Sequence, residues 1–398
     1  MRLALPDGRA ALLCYCGNVH PGERLDDLWR ALDVAASVRR ELALERMGFG
    51  LWLGRSALTQ LGAAGGAARL RDELAARGLE VTTMNGFPYG NFHADVVKRA
   101  VYHPDWSTFE RFAYTTELAE LLAALLPEDA PGGTLSTLPL AHAGEAGADP
   151  DGLAERAAEA LCRAAAALAR LADATGKQIR LCVEPEPGCL IETTAQAIRL
   201  WTELLPRAAV RAGVAMDAAR AHLGLCYDTC HQAVAFEQAA ASLDALAAAG
   251  VPIGKVQLSS ALELAEPDGP AGRELLARFA EPRFLHQVRA PLGGGALAGV
   301  DDLYPDLAGL DALPADRPWR IHFHLPIHRE VVGEIATTRG FLEEVIAHLV
   351  GGGRPLPQLE VETYTWAVLP GDERPSGAAA LARGIAAELA WARGEVLR

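Results

Sequence analysis

Gln178-Ile-Arg-Leu-Cys-Val-Glu184-Pro-Glu186-Pro and, further on, His222-Leu-Gly-Leu-Cys-Tyr-Asp228-Thr-Cys-His231 are built alike. Each is a short run rich in Val, Ile, Leu and Cys that ends abruptly in carboxylates. An unbroken apolar run of this length predicts a strand covered on both faces, as in a parallel sheet, and not one face of a surface sheet. Long amphipathic stretches follow both, at 194–205 and 231–248, and predict the helices that cover such a sheet.

The same unit recurs outward in both directions. Apolar runs at 11–16, 48–53, 80–85 and 134–140 precede these two, and runs at 253–259, 319–325 and 358–363 follow them. Helices are predicted over 25–44, 57–77, from about 106, and over 153–174, 338–349 and 378–396. Repeated strand–helix units of this kind imply an α/β protein with the (β/α)8 barrel architecture. Nine strand candidates compete for eight places. The surplus lies at 253–259 and 319–325, either of which could be the regular seventh strand. An insertion at about 261–318 separates them. No Pro/Gly/Ser-rich linker divides the chain, so residues 1–398 read as a single domain with the insertion inside it.

Composition narrows the function. Of 398 residues 50% are hydrophobic and 22% charged, the balance of a globular protein with a substantial core. A net charge of -14 with no run of Lys or Arg argues against a nucleic-acid partner and reads as solubility. The opening MRLALPDGRAALLCYCGN lacks the pattern of a secretory signal. No apolar stretch approaches the ~20 residues that span a bilayer, so the chain is not expected to be membrane-embedded. Seven cysteines, an odd number, fit a reducing cytoplasm better than a disulfide framework. Heavy use of Ala, Leu, Arg and Gly suggests a GC-rich bacterial genome.

In a βα barrel the C-terminal ends of the strands meet on one face. The runs bring Glu184 and Glu186, Asp228 and His231, His322 and His324, and Glu360 and Glu362 to that face; residues two apart on a strand project the same way. Several carboxylates in one buried mouth repel one another unless a cation neutralises them. Oxygen and imidazole donors together suit Mn²⁺, Mg²⁺, Co²⁺ or Zn²⁺. Taken singly, each has a plainer reading: a strand-end glutamate as a solvated group, Asp228 as the cap of the next helix, His322 as a core histidine. The joint pattern over four runs favours the metal.

Loops at the same mouth offer His20 and Glu23, then Asn85, Tyr89, His93 and Lys98, then Tyr102, His103 and Trp106. Aromatic and amide groups of this kind suit a hydroxyl-rich ligand, and Lys98 offers an anion-binding or acid/base group. The alternative is a surface loop with turns set by Gly86, Pro88 and Gly90. Cys14, Cys16, Cys182, Cys226 and Cys230 read as small buried hydrophobes, with thiolate ligation as the rival. The run 293–295 is not a phosphate loop, because no Lys-Ser/Thr follows it; it reads as a flexible part of the insertion, such as a lid.

The Glu-Pro ending at Glu184, the Asp-x-x-His from Asp228 to His231 and the Glu-Thr from Glu362 resemble the xylose isomerase-like TIM barrels, which include sugar isomerases, epimerases and apurinic endonucleases. Longer strings resemble the EboE metabolite traffic family: Cys16-Gly-Asn-Val-His-Pro-Gly-Glu23, Asn85-Gly-Phe-Pro-Tyr-Gly90, Tyr102-His-Pro-Asp-Trp106, the Asp228 segment, His322-Phe-His-Leu-Pro326 and Glu360-Val-Glu-Thr-Tyr-Thr-Trp366. That resemblance implies a cluster-encoded, prenyltransferase-like membrane partner and a small metabolite as cargo or substrate. The wider resemblance implies metal ligands at Glu184, Asp228, a strand-seven residue and Glu362, with a histidine on strand seven. Here Lys255-Val-Gln257 offers glutamine at that place; His324 is preferred as the ligand, with His322 and Gln257 as alternates. His231 resembles a histidine that touches substrate or a second metal.

The leading expectation is a metal-dependent isomerase or epimerase acting on a sugar, cyclitol or related small polyol, with Glu184, Glu362 and His231 as catalytic groups. His20, Asn85, Tyr89, His93, Lys98, Trp106, Glu186 and His322 are expected to bind substrate. The rivals are a metal-assisted hydrolase or lyase of a phosphorylated metabolite and a non-catalytic metabolite carrier.

Overall fold

The computed structural model describes the backbone of residues 1–398 and the side chains of all but residues 270, 271 and 372. Eight parallel strands close a barrel: β1 (Ala10–Cys16), β2 (Met47–Trp52), β3 (Thr83–Asn85), β4 (Gly132–Thr137), β5 (Gln178–Val183), β6 (Leu223–Asp228), β7 (Ile253–Leu258) and β8 (Gln358–Val361). Neighbours in sequence are neighbours in the sheet, and β8 pairs with β1 to close the ring. The apolar runs are strands for the reason the pattern suggests. Leu181, Val183, Leu225, Val256 and Leu258 are all buried, because helices such as Pro150–Thr175 and Ala239–Ala248 cover the outer face.

The choice between two seventh strands is resolved in favour of Ile253–Leu258. It lies between β6 and β8 in parallel register, with Gln257 opposite both Asp228 and Glu360. The competing run is a strand only over Trp319–Ile321, and it belongs to a second, antiparallel sheet of six short strands built from Leu262–Leu264 to Ile335–Thr337. Trp319–Ile321 sits between Leu262–Leu264 and Val288–Gly293 in that sheet. His322 and His324 follow it directly, so this sheet delivers two imidazoles to the barrel mouth from outside the barrel.

Other differences have local causes. The helix expected over 57–77 is two, Arg55–Ala63 and Gly66–Ala76, broken where Gly65 takes a φ of 100° that disfavours any side chain. The helix expected over 231–248 is also two, Thr229–Val234 and Ala239–Ala248. A short strand, Arg2–Ala4, pairs antiparallel with β1 and was not expected. Trp106 lies just ahead of its helix, Phe109–Leu125. Among the described residues, no helix is long and apolar enough to cross a membrane. All seven cysteines are free and buried, as small hydrophobes are.

The barrel interior is unusual in holding charge. Lys255 Nζ lies 2.7 Å from Glu360 Oε2, and both side chains are fully buried. Lys255 also reaches Ser136 Oγ at 3.3 Å, across the barrel. A Cβ on Gly50 would meet Glu360 Oε1 at 1.6 Å, so glycine makes room for the pair. This ion pair floors the site described next.

Candidate metal centre

Glu184, Asp228 and Glu362 come from the ends of β5, β6 and β8, and one carboxylate oxygen from each lies within 4.8 Å of the others. Asp228 is held by one oxygen: Oδ1 accepts from the backbone N–H of Cys230 (2.7 Å) and His231 (3.1 Å) and from Ser259 Oγ (2.6 Å). The expected helix cap is therefore present, but it uses only half of the carboxylate. Asp228 Oδ2 and Glu184 Oε2 are buried without a hydrogen-bond partner. Glu362 Oε1 accepts from Asn18 Nδ2 at 2.8 Å and Asn85 Nδ2 at 3.0 Å.

The electrostatics follow. Burial, then the charges of its carboxylate neighbours Glu362 and Asp228, pushes the Glu184 carboxyl well above its ordinary range. Burial does the same to Glu362, reinforced by Asp228 and Glu360. Burial also acts to raise Asp228, but His231, His324, Ser259 and backbone N–H groups outweigh it and hold that carboxyl below its usual value. Buried, unpartnered carboxylate oxygens facing one another are the arrangement that a divalent cation relieves. The donor set fits a hard or borderline ion with oxygen preference.

Three imidazoles stand beside this trio. His231 Nε2 lies 3.1 Å from His322 Nε2 and 3.3 Å from His324 Nε2. His324 also lies 3.8 Å from Asp228 Oδ2 through Nε2 and 3.8 Å from Glu362 Oε2 through Nδ1. Burial lowers His324 to about 4 and pushes His322 well below the ordinary imidazole range. Glu186, raised to about 7 by burial, accepts from the Tyr102 hydroxyl at 2.8 Å. Gln257 is fully buried at the end of β7, and neither its amide nitrogen nor its oxygen has a partner.

A cavity of about 490 Å³, counting its open mouth, lies over these groups. Its polar floor is Glu184, Glu186, His231, His322, His324, Glu362, Asn18 and Asn85; its walls include Phe87, Phe92, Phe284, Leu285 and Tyr364. Of the loop residues offered for substrate binding, Asn85, Lys98 and Tyr102 line it. Lys98 is already engaged: its ammonium lies 2.7 Å from an Asp302 carboxylate oxygen and donates to the backbone oxygens of Glu281 and Phe284. It fastens the insertion over the mouth.

The other loop candidates stand away from the cavity lining. His20 is buried against the Tyr15 hydroxyl at 3.0 Å and lowered to about 3 by burial. His93 Nε2 contacts Asn18 O at 2.8 Å, and its backbone N–H donates to Glu23. Tyr89 packs edge-on to Tyr114. Trp106 is wholly buried and donates Nε1–H to Thr137 Oγ1 at 3.0 Å. His103 pairs with Glu145. Asn18, Tyr364 and Phe284 escaped sequence reasoning. Asn18 and Tyr364 lie close in sequence to residues that were singled out, and that proximity was the available signal; Phe284 belongs to an insertion with no periodicity to read.

The family model described as a xylose isomerase-like TIM barrel matches residues 42–307. No curated protein matches the chain. Among solved structures, an L-ribulose 3-epimerase is 16% identical, with 97% of each chain covered and a TM-score of 0.46. A xylose isomerase-like TIM barrel protein from Mycobacterium smegmatis in complex with magnesium is 13% identical, covering 99% of this chain and 100% of its own, with a TM-score of 0.49. The IOLI protein with a binding zinc atom is 13% identical over 58% of this chain and 67% of its own, with a TM-score of 0.36.

Proposed function

Since this chain belongs to the xylose isomerase-like TIM-barrel family, we propose that it is a metal-dependent isomerase or epimerase of a sugar, cyclitol or related small polyol. The observation that carries the reading is the buried trio Glu184, Asp228 and Glu362, with oxygens within 4.8 Å of one another and two of them unpartnered. These three would hold a divalent cation, with Gln257 or His324 beside them. Bound there, the ion would polarise a substrate carbonyl and offset the charge that develops when the neighbouring carbon loses a proton.

The chain's own groups do the rest. Asn18 and Asn85 fix Glu362 by its Oε1, leaving Oε2 as the atom to accept a proton from substrate carbon. Glu184 Oε2, which has no competing donor, is placed to return a proton from β5. Without a cation, burial and the neighbouring carboxylates raise both carboxyls, and a bound cation would offset that repulsion. His231 lines the same cavity, and its ring is oriented by Nδ1 against Pro185 O at 2.9 Å. Phe284, Leu285 and Tyr364 wall off solvent, which strengthens each charge interaction below them.

A phosphorylated substrate is the weaker reading, because Lys98, the one Lys or Arg among the described residues lining the cavity, already has its ammonium engaged by Asp302. The strings at 16–23, 85–90, 102–106, 322–326 and 360–366 support the finer proposal of an EboE-type role for a cytoplasmic chain beside a membrane-bound partner, and a carrier without turnover is its natural rival. The test is turnover of a panel of ketoses, aldoses and cyclitol ketones in deuterated water. Deuterium should enter a substrate C–H position, and Glu362→Gln should slow entry by about 10²–10⁴-fold. Tight binding with no exchange, unaltered in Glu362→Gln, would establish the carrier instead.

A further inference from the structure

The cavity over the strand ends is divided between a polar floor and an apolar upper wall. Three rings form the centre of that wall and come from three parts of the chain: Phe92 from the loop after β3, Phe284 from the insertion and Tyr364 from the loop after β8. Their centroids lie 5.0 Å (Phe92 to Phe284), 5.2 Å (Phe92 to Tyr364) and 4.9 Å (Phe284 to Tyr364) apart, the spacing of packed aromatic pairs. Val97, Val101 and Leu285 extend the same surface.

Free hydrogen-bonding capacity is distributed the other way. On the floor, Asn18 Oδ1 and Glu184 Oε2 are buried with no partner. Asn18 gives its amide nitrogen to Glu362, so its oxygen is left to accept a hydroxyl from whatever fills the cavity. On the wall, the polar side chains are already engaged. Lys98 has three N–H groups and three acceptors: Asp302 at 2.7 Å, Phe284 O at 2.7 Å and Glu281 O at 3.0 Å. The Tyr102 hydroxyl donates to Glu186 at 2.8 Å and accepts from Gln287 Nε2 at 3.1 Å. The Tyr364 hydroxyl turns down to the floor, 3.4 Å from His322 Nε2. Among the described residues on the wall, no side chain keeps a hydrogen to give to a ligand.

A substrate hydroxyl carried up this wall would leave water and find no donor, which costs about 5- to 150-fold in affinity for each one. A methylene in the same place gains about fourfold. Both effects favour the same kind of molecule. We propose that the substrate is amphipathic: two or three oxygen-bearing carbons that reach the floor, joined to an alkyl or aryl group that lies against Phe92, Phe284 and Tyr364. This rests on the reading of the floor as the place where an isomerase or epimerase holds its substrate's reacting oxygens, and it narrows the substrate from small polyols in general. The cavity, about 490 Å³ with its open mouth, falls in the ~300–1,000 Å³ range of sites that enclose molecules of this size. A wall that served only to exclude water would be indifferent to the length of an apolar tail.

The test is binding of open-chain ketones that share one head and differ in tail: 1,3-dihydroxybutan-2-one, 1,3-dihydroxyhexan-2-one and 1,3-dihydroxyoctan-2-one, with erythrulose, which adds one hydroxyl to the first. Calorimetry on the full chain saturated with magnesium reads the dissociation constants, and NMR in deuterated water reads exchange. Affinity should rise about 10- to 200-fold from the four-carbon to the eight-carbon ketone. Erythrulose should bind more weakly than its deoxy counterpart, and Phe284→Asn should flatten the series. Affinity that ignores tail length while exchange proceeds would overturn the apolar group and leave the isomerase reading standing. A rise in affinity with no exchange in any ketone would uphold the apolar group and remove the isomerase reading. A rise that Phe284→Asn leaves intact would overturn the assignment to this wall, and no binding of any ketone would overturn both readings. Should Phe284→Asn fail to fold, the series on the unaltered chain decides by itself.

Discussion

Glu184 shows at the scale of one residue how function is set against stability. Its carboxylate is buried at the end of β5, near Glu362 and Asp228, and Oε2 has no partner. Without a cation, the charge is a liability, since an uncompensated buried ion costs several kcal/mol. Glu184→Gln keeps the shape and removes the charge. In the presence of a chelator its melting temperature should equal or exceed that of the parent; with saturating metal the order should reverse, because only the parent gains binding free energy. A variant less stable than the parent under chelator would mean that Glu184 is satisfied without metal. Glu184, Glu186, Asp228, His231, His322, His324 and Glu362 were all legible in sequence, because a strand end is marked by the switch from apolar to charged. The fate of Asp228's two oxygens was not, since capping and ligation call for the same residue type.

At the scale of elements, the closing helix Ala378–Val396 ties the barrel mouth together through Glu388. Its Oε1 accepts from Thr363 Oγ1 at 2.6 Å and Ile327 N–H at 3.1 Å, and Oε2 from Trp366 Nε1 at 3.2 Å. Burial outweighs these bonds and raises the carboxyl from 4.5 to about 7. A raised folded-state value means that the folded chain holds an extra proton between those two values. Its contribution is therefore full below pH 4.5 and lost as pH rises to about 7, on the order of 3 kcal/mol in all. Glu388→Gln should thus gain stability relative to the parent as pH rises through that window, read by urea unfolding at several pH values. A stability difference that does not change with pH would contradict it. Most of the barrel was readable at this scale because parallel strands covered on both faces are near-continuous apolar runs. The seventh strand was ambiguous because Lys255 and Gln257 interrupt its run, whereas 319–325 looks more like a strand than it is. The inserted sheet escaped because its strands are short, with no period to detect.

For the whole molecule, the ring of eight strands and the inserted sheet converge on one mouth from different sides. The barrel supplies Glu184, Asp228, Gln257 and Glu362; the insertion supplies His322 and His324 and is fastened by Lys98 to Asp302. That division could not be read from sequence, since it depends on which of two runs enters the barrel. Asp228 faces both the carboxylates and the imidazoles, so it carries the central claim of a cation at the strand ends. The most direct measurement is metal bound per chain by inductively coupled plasma mass spectrometry, for the parent and for Asp228→Ala, each after reconstitution with divalent ions. The account predicts at least one divalent ion on each parent chain and its loss from the variant. A parent that stays metal-free, or a variant that keeps the parent's full load, would contradict it.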